Sequence, residues 1–217
     1  MRVIVLGAGQ GYQLDGFNKL LIKDPADGKR ILDKYREAFA GKEMTVVVGY
    51  RAINVMHHYP DLAYIYNKDW AVTNNSYSLS LTLTDEPCYV ISGDLFIEPE
   101  LIQELDAGAP DLVVTQVRES RTLSAVNVSV DADGRIKEVY QGKLRNVSDP
   151  EAIGIFKVSS PVLLTAWKRN CREYANLFVG QNLPFDTDAS VFAADLGGHR
   201  LDEVNTPMDY LRLLDRR

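Results

Sequence analysis

With 217 residues, 46% hydrophobic and 25% charged, the chain has the length and composition of one large α/β domain with apolar material for a full core. A formal charge of −6 and the lack of any Lys/Arg stripe exclude a nucleic-acid backbone as partner, although local cations and a bound metal leave a small anionic ligand open. No apolar run approaches the ~20 residues of a membrane span, so no membrane role is expected.

Along the chain, Met1 and Arg2 lead into a short β-rich run without the long apolar segment or cleavage site of a secretory signal, which makes a cytoplasmic location the expectation. VIVLG at 3–7, MTVVVGY at 44–50, AYIYN at 63–67, CYVISGD at 88–94 and DLVVTQV at 111–117 read as strands, with helical stretches at 28–40, 73–83 and 98–106 between them. Strands apolar throughout, alternating with helices, predict a doubly wound, mainly parallel sheet covered on both faces. After residue 117 the texture changes. Residues 125–141 alternate apolar and polar around Asp133-Gly134, a hairpin signal for antiparallel strands, and 151–158 reads as a further strand. A helix at 161–174, a strand at 199–204 and a closing helix started by Thr206-Pro207, with Asp209 in its first turn, complete the chain. One domain over 1–217 is expected, with a nucleotide-binding half at 1–117 and an acceptor half with a small antiparallel lobe at 118–217.

The glycines after the first strand decide which nucleotide fold this is. A dinucleotide fingerprint needs a third glycine where Tyr12 stands and an acid where the second strand instead ends in Gly49, Tyr50 and Arg51. A P-loop needs a Gly-Lys-Ser/Thr closure that is absent. What remains is a glycine-rich loop, an excursion carrying Lys19, and a helix delayed to about residue 28. A lysine on such an excursion can lie over a triphosphate and meet charge developing on the α-phosphate. Asp94, at the end of an apolar strand, can hold Mg²⁺ against phosphates or can simply cap the next helix.

Leu6-Gly7-Ala8-Gly9-Gln10-Gly11-Tyr12-Gln13-Leu14 followed by Asn18-Lys19 resembles the opening of the nucleotidyltransferase superfamily, with Gln13 in place of its arginine and Asn18 in place of its proline. EVNTPMDY at 203–210 is similar to the superfamily segment bearing a second metal ligand, a position that falls on Asn205. TNNSYSLSL at 73–81 and the region from Lys143 to the EAIGIF strand resemble bacterial phosphocholine and phosphonate cytidylyltransferases. The resemblance implies a Rossmann-like nucleotidyltransferase fold and Mg²⁺-dependent cytidylyl transfer from CTP to a small phosphonate, such as 2-hydroxyethylphosphonate or 2-aminoethylphosphonate, or to phosphocholine. It implies catalytic roles for Lys19 and Asp94, and metal binding by Asp94 and Asn205. Nucleotide contacts are implied at Leu6, Gly7, Ala8, Gly9, Gln10, Gly11, Gly49, Tyr50, Asn75, Ser76 and Gly93, and acceptor contacts at Asn74, Lys143, Glu151 and Asp188.

Lys23, Lys29 or Arg30 could supply the charged phosphate grip that a glutamine at position 13 does not. Other readings are a sugar-1-phosphate or molybdopterin-type nucleotidyltransferase using another triphosphate, and a catalytically weak nucleotide-binding regulatory domain. The expected state is a monomer or homodimer. Cys88 and Cys171 lack metal-ligand spacing and read as core thiols, and His57-His58 read as surface residues. Tyr64 and Tyr66 read as strand packing rather than a cage for a quaternary ammonium.

Overall fold

A computed structural model describes residues 1–118, 121–185 and 187–215. β1 (Arg2–Gly7) carries the buried run Val3, Ile4, Val5 and Leu6. Successive strand side chains point to opposite faces. Val3 and Val5 therefore join Ile31, Leu32, Tyr35 and Phe39 in one core cluster, while Ile4 and Leu6 join Leu79, Leu163, Leu164 and Trp167 in another.

The first half continues through α1 (Ile31–Ala38), β2 (Met44–Val48), α2 (Ala52–His58), β3 (Ala63–Tyr66), α3 (Asn75–Ser80), β4 (Cys88–Ser92), β5 (Leu95–Ile97), α4 (Pro99–Ala107) and β6 (Leu112–Gln116). α1 begins three residues later than its sequence suggests. Residues 24–29 close a turn, Asp24 N–H to Lys29 O at 2.7 Å, and Asp33 accepts the Arg30 N–H at 2.8 Å to start the helix. The second half runs through β7 (Val126–Val130), β8 (Ile136–Gln141), β9 (Glu151–Val158), α5 (Pro161–Glu173), β10 (Phe192–Asp195), β11 (Leu201–Glu203) and α6 (Pro207–Leu214). The β7–β8 hairpin turns at Asp133 and Gly134 as expected, and the last helix is capped by Thr206, whose hydroxyl accepts from Asp209 N.

The main sheet has the order β10-β6-β9-β4-β1-β2-β3. β1, β2, β3 and β4 are parallel, as are β6 and β10, whereas β9 runs antiparallel between β4 and β6. The two halves of the chain thus share one mixed sheet, and the small antiparallel set is β7 and β8 leaning on β9. After β1 the chain passes to β2 and β3 on one side and then to β4 on the other, so a crevice opens at the carboxyl ends of β1 and β4. No helix among the described residues is long and apolar enough to cross a membrane.

Trp167 anchors the α5 side of the core. Its side chain is fully buried, its indole donates to Val179 O at 2.9 Å, and its ring meets Phe156 at 5.5 Å. Trp167→Ala is expected to lower unfolding free energy by about 3–5 kcal/mol, read from urea denaturation midpoints, and an unchanged midpoint would contradict this packing. Burial pushes the thiols of Cys88 and Cys171 up to about 12. Both are therefore expected to resist iodoacetamide at pH 8 in the native state and to react only after unfolding.

Candidate active site

The crevice is built from loops that close on one another through the backbone. Gly11 adopts φ +59°, and its carbonyl accepts from Leu14 at 2.8 Å, turning the loop into a short 3-10 segment over Tyr12–Leu14. Ala8 O accepts the Tyr50 N–H at 2.9 Å, which fastens the loop to the end of β2. That approach requires Gly49. A β-carbon there would fall 2.7 Å from Ala8 O and 2.6 Å from Trp70 Cβ. Asn18, where the resemblance has a proline, is buried; Leu20 N donates to its Oδ1 at 3.1 Å and its Nδ2 donates to Tyr50 O at 3.3 Å. It caps the 3-10 turn Lys19–Leu21 and thereby aims Lys19.

The Lys19 ammonium donates to Asp94 Oδ2 at 3.0 Å and to Asn205 Oδ1 at 2.5 Å. Asp94 follows β4, and Asn205 follows β11. They meet because β11 pairs antiparallel with β5, Glu203 opposite Leu95, and Val204 N donates to Asp94 O at 2.9 Å. Asp209 holds Asn205 from below by accepting its N–H at 3.1 Å. Glu203, which the sequence does not single out, accepts from Asn205 Nδ2 at 2.6 Å. Burial, reinforced by the Asp94 carboxylate, holds Glu203 above the usual carboxylate range, while the Asn205 hydrogen bond and Arg118 pull the other way.

A cleft of about 200 Å³ opens beside this cluster. Leu6, Gly7, Ala8, Gly9, Gly11, Asn18 and Lys19 form one wall, Ser92, Gly93 and Asp94 the floor, and Asn67, Trp70, Thr73, Asn74, Asn75 and Ser78 the other wall. The structure therefore brings together Leu6, Gly7, Ala8, Gly9, Gly11, Lys19, Asn74, Asn75, Gly93 and Asp94 from the expected set. Gln10 sits half-buried between Gly9 and Gly11. Gly49 and Tyr50 stand behind the loop as supports, with the Tyr50 ring edge-on to Trp70 at 5.1 Å. Ser76 faces the core, where Asn182 Nδ2 donates to its hydroxyl at 2.8 Å. Asn67 is a buried strut outside the sequence motifs: its Nδ2 donates to Ser78 Oγ at 3.0 Å and to Thr73 Oγ1 at 3.3 Å.

Of the residues expected at an acceptor, Glu151 opens β9, opposite Gln116 and Asn127. Arg118, a second residue the sequence does not mark, lies with Nη1 3.5 Å from Glu151 and 3.9 Å from Glu203. Lys143 is exposed in the loop after β8 and Asp188 is exposed in the segment before β10. Among the described residues, neither has a hydrogen bond or ion pair to the Lys19 cluster. Gln13 is exposed, Lys29 pairs with Glu37 at 2.7 Å, and neither Lys23, Lys29 nor Arg30 lines the cleft, in which Lys19 is the cation among the described residues. His57 and His58 are exposed, and Tyr64 donates to Tyr59 O at 2.6 Å. Tyr66 is exposed rather than packed, because β3 is the edge strand of the sheet.

No family model matches the chain. The CMP-5'-(3-aminopropyl)phosphonate synthase of Streptomyces rubellomurinus (strain ATCC 31215) is 28% identical over 177 residues, covering 76% of this chain, which spans only 28% of that protein's length. The structure of CTP:phosphocholine cytidylyltransferase from Streptococcus pneumoniae superposes with a TM-score of 0.79 at 17% identity, covering 99% of this chain and 98% of that one. The inositol-1-phosphate CTP transferase from T. maritima gives 0.73 at 18% identity, covering 99% and 95%. These likenesses show the nucleotidyltransferase fold, an α/β architecture with a mixed, mainly parallel sheet.

Because Glu203 holds its proton more tightly in the folded chain than in the unfolded one, its protonation favours folding. That contribution is complete below the ordinary carboxylate value and is lost as pH rises through the raised one. Glu203→Gln is therefore expected to raise the Tm at pH 7 in EDTA, measured by thermal melts. A lowered Tm would show that the charge itself is structurally required.

Proposed function

We propose that the chain is a CTP-dependent cytidylyltransferase that moves CMP onto a small phosphonate or phosphate ester and releases pyrophosphate. The observation that carries this reading is Lys19 held between Asp94 and Asn205 at the mouth of a glycine-loop cleft. In the reaction an acceptor oxygen attacks the α-phosphorus in line and the bond to the α–β bridging oxygen breaks. Catalysis is then positioning plus stabilisation of charge, with no covalent enzyme intermediate. The amides of residues 8–11 take the triphosphate, and Lys19 stabilises charge at the α-phosphate.

Asp94 and Asn205 are the residues that would hold Mg²⁺, with Glu203 beside them. The donors are all oxygen and already face a cation, the Lys19 ammonium, which suits a hard divalent ion shared with substrate phosphates. When bound, Mg²⁺ supplies neutralisation of phosphate charge. Among the described residues no group of three or more His, Cys, Asp or Glu side chains is gathered as a metal cage. CTP as donor and a phosphonate as acceptor are supported by the CMP-phosphonate synthase relative and by the two CTP-using enzymes of the same fold.

A second reading, a nucleotide-binding regulatory domain with weak or no turnover, draws on Gln13 being exposed and on Lys19 being the cation among the described cleft residues. Pyrophosphate release from CTP and Mg²⁺ across a panel of phosphonates and phosphocholine separates the two. Turnover is expected with at least one acceptor, whereas tight CTP binding, read as a raised Tm, with silence across the panel supports the regulatory reading. Lys19→Ala is expected to lower kcat by about 10²–10³-fold, and near-normal kcat would remove Lys19 from the chemistry.

A further inference from the structure

Asn74 and Asn75 line the cleft, yet both commit their side-chain oxygens to the protein itself: Asn75 N donates to Asn74 Oδ1 at 2.7 Å, and Val179 N donates to Asn75 Oδ1 at 2.9 Å. A backbone N–H can only donate, so the oxygen of the Asn75 carboxamide is the atom that must face residue 179. Its Nδ2 has no partner among the described residues and is left for the cleft that Asn75 lines. Ser78 is set in the same sense. Its Oγ accepts from Asn67 Nδ2 at 3.0 Å, and its O–H has no acceptor among the described residues. The α3 wall thus offers hydrogen-bond donors, which suits a ligand as rich in oxygen as a nucleotide.

A buried polar hub behind the wall holds residue 179 in place. The segment 174–182 follows α5 and ends in a 3-10 turn over Val179–Asn182. Asn182 is buried, and its Nδ2 donates to Ser76 Oγ at 2.8 Å and to Tyr174 O at 3.1 Å. Asn170 Nδ2 donates to Asn182 O at 3.1 Å, and the buried Cys171 thiol hydrogen-bonds with Ser76 and Asn182. Asn74 N donates to Ala175 O at 3.0 Å. Residues 74, 75 and 76 are therefore each tied to the C-terminal side of α5, beside the apolar cluster of Leu79, Leu163, Trp167 and Leu183. Apolar packing has no direction, whereas a satisfied hydrogen-bond network fixes one arrangement.

We propose that Asn182 is a positioning residue for the nucleotide cleft: by joining Ser76 to Tyr174 it seats the 174–182 segment against α3, so that the Val179 amide locks Asn75 with Nδ2 toward the ligand. The proposal rests on the nucleotide-binding reading and adds to it a buried residue that acts only through another. Released from Val179, the Asn75 carboxamide turns about a broad terminal torsion and meets a ligand oxygen with its own oxygen as readily as with its nitrogen.

The test is a double-variant cycle read by calorimetry of CTP binding with Mg²⁺, together with hydrogen exchange of the Val179 amide. Asn182→Ala is expected to speed that exchange by roughly tenfold or more, and to weaken CTP binding on the order of tenfold, the loss of about one hydrogen bond. In an Asn75→Ala background the same substitution is expected to cost no more than about twofold further, because the lock then has nothing to orient. Ser76→Ala combined with Asn182→Leu replaces both partners by apolar groups, so it is expected to regain the Tm that Asn182→Ala loses while CTP binding stays weak. That pair carries the cycle if Asn182→Ala does not fold. An equal loss in the Asn75→Ala background, unchanged Val179 exchange or CTP affinity in a folded Asn182→Ala protein, or affinity regained together with Tm in the apolar pair overturns the proposal. Wild type that binds no CTP, with Val179 exchange still quickened by Asn182→Ala, overturns the nucleotide reading instead and supports the hold of Asn182 on the wall.

Discussion

The Lys19 ammonium bonds to Asp94 and Asn205, which lie 75 and 186 residues away along the chain, and Glu203 joins them by accepting from Asn205 Nδ2. Burial, and after it the neighbouring Asp94 carboxylate, raise the proton affinity of Glu203, while Asn205 and Arg118 pull the other way. The geometry is fixed from both sides. Asn18 caps the short turn that presents Lys19, and the β5–β11 pairing brings the 203–205 segment against Asp94. The ammonium and the backbone are thus mutually dependent. The backbone gathers like charges, Lys19 compensates Asp94, and Asn205 and Arg118 offset Glu203.

β9 extends the same logic to the second half of the chain. By running antiparallel between β4 and β6 it places Glu151, its first residue, next to Gln116 and within reach of Arg118. One sheet therefore carries the glycine loop at β1, the Asp94 corner at β4 and the Arg118–Glu151 pair at β6 and β9. Relative positions across the site are set by strand register and not by a hinge between lobes.

Much of the architecture was legible in the sequence because both periodicities were clean. Apolar β1, β2 and β4 announced a sheet covered on both faces, and Thr206-Pro207 with Asp209 announced the last helix. Lys19, Asp94 and Asn205 were legible as types in context: a lysine after a glycine loop, a carboxylate and an amide at strand ends. Glu203 and Arg118 were not, because their importance comes from the β5–β11 and β6–β9 pairings, which local pattern does not reveal. Ser76 illustrates the opposite failure. It adjoins Asn75 in the same motif, but one helical step of about 100° turns it away from the cleft and onto Asn182. Gly49 and Tyr50, expected at the nucleotide, support the loop from behind, Gly49 through a close approach that a β-carbon would block.

The insertion of β9 also sets an order of events during synthesis. β6 is made well before the strand that separates it from β4, so until residues 151–158 arrive it has an open inner edge of unpaired backbone groups, the kind of edge that recruits wrong partners. The glycine loop, Lys19 and Asp94 can assemble from the first hundred residues. The oxygen of Asn205 and the carboxylate of Glu203 join only when the last strand folds back onto β5. A growing chain therefore has every residue that lines the cleft long before it has Asn205 and Glu203, the two groups that complete the Lys19 cluster beside it.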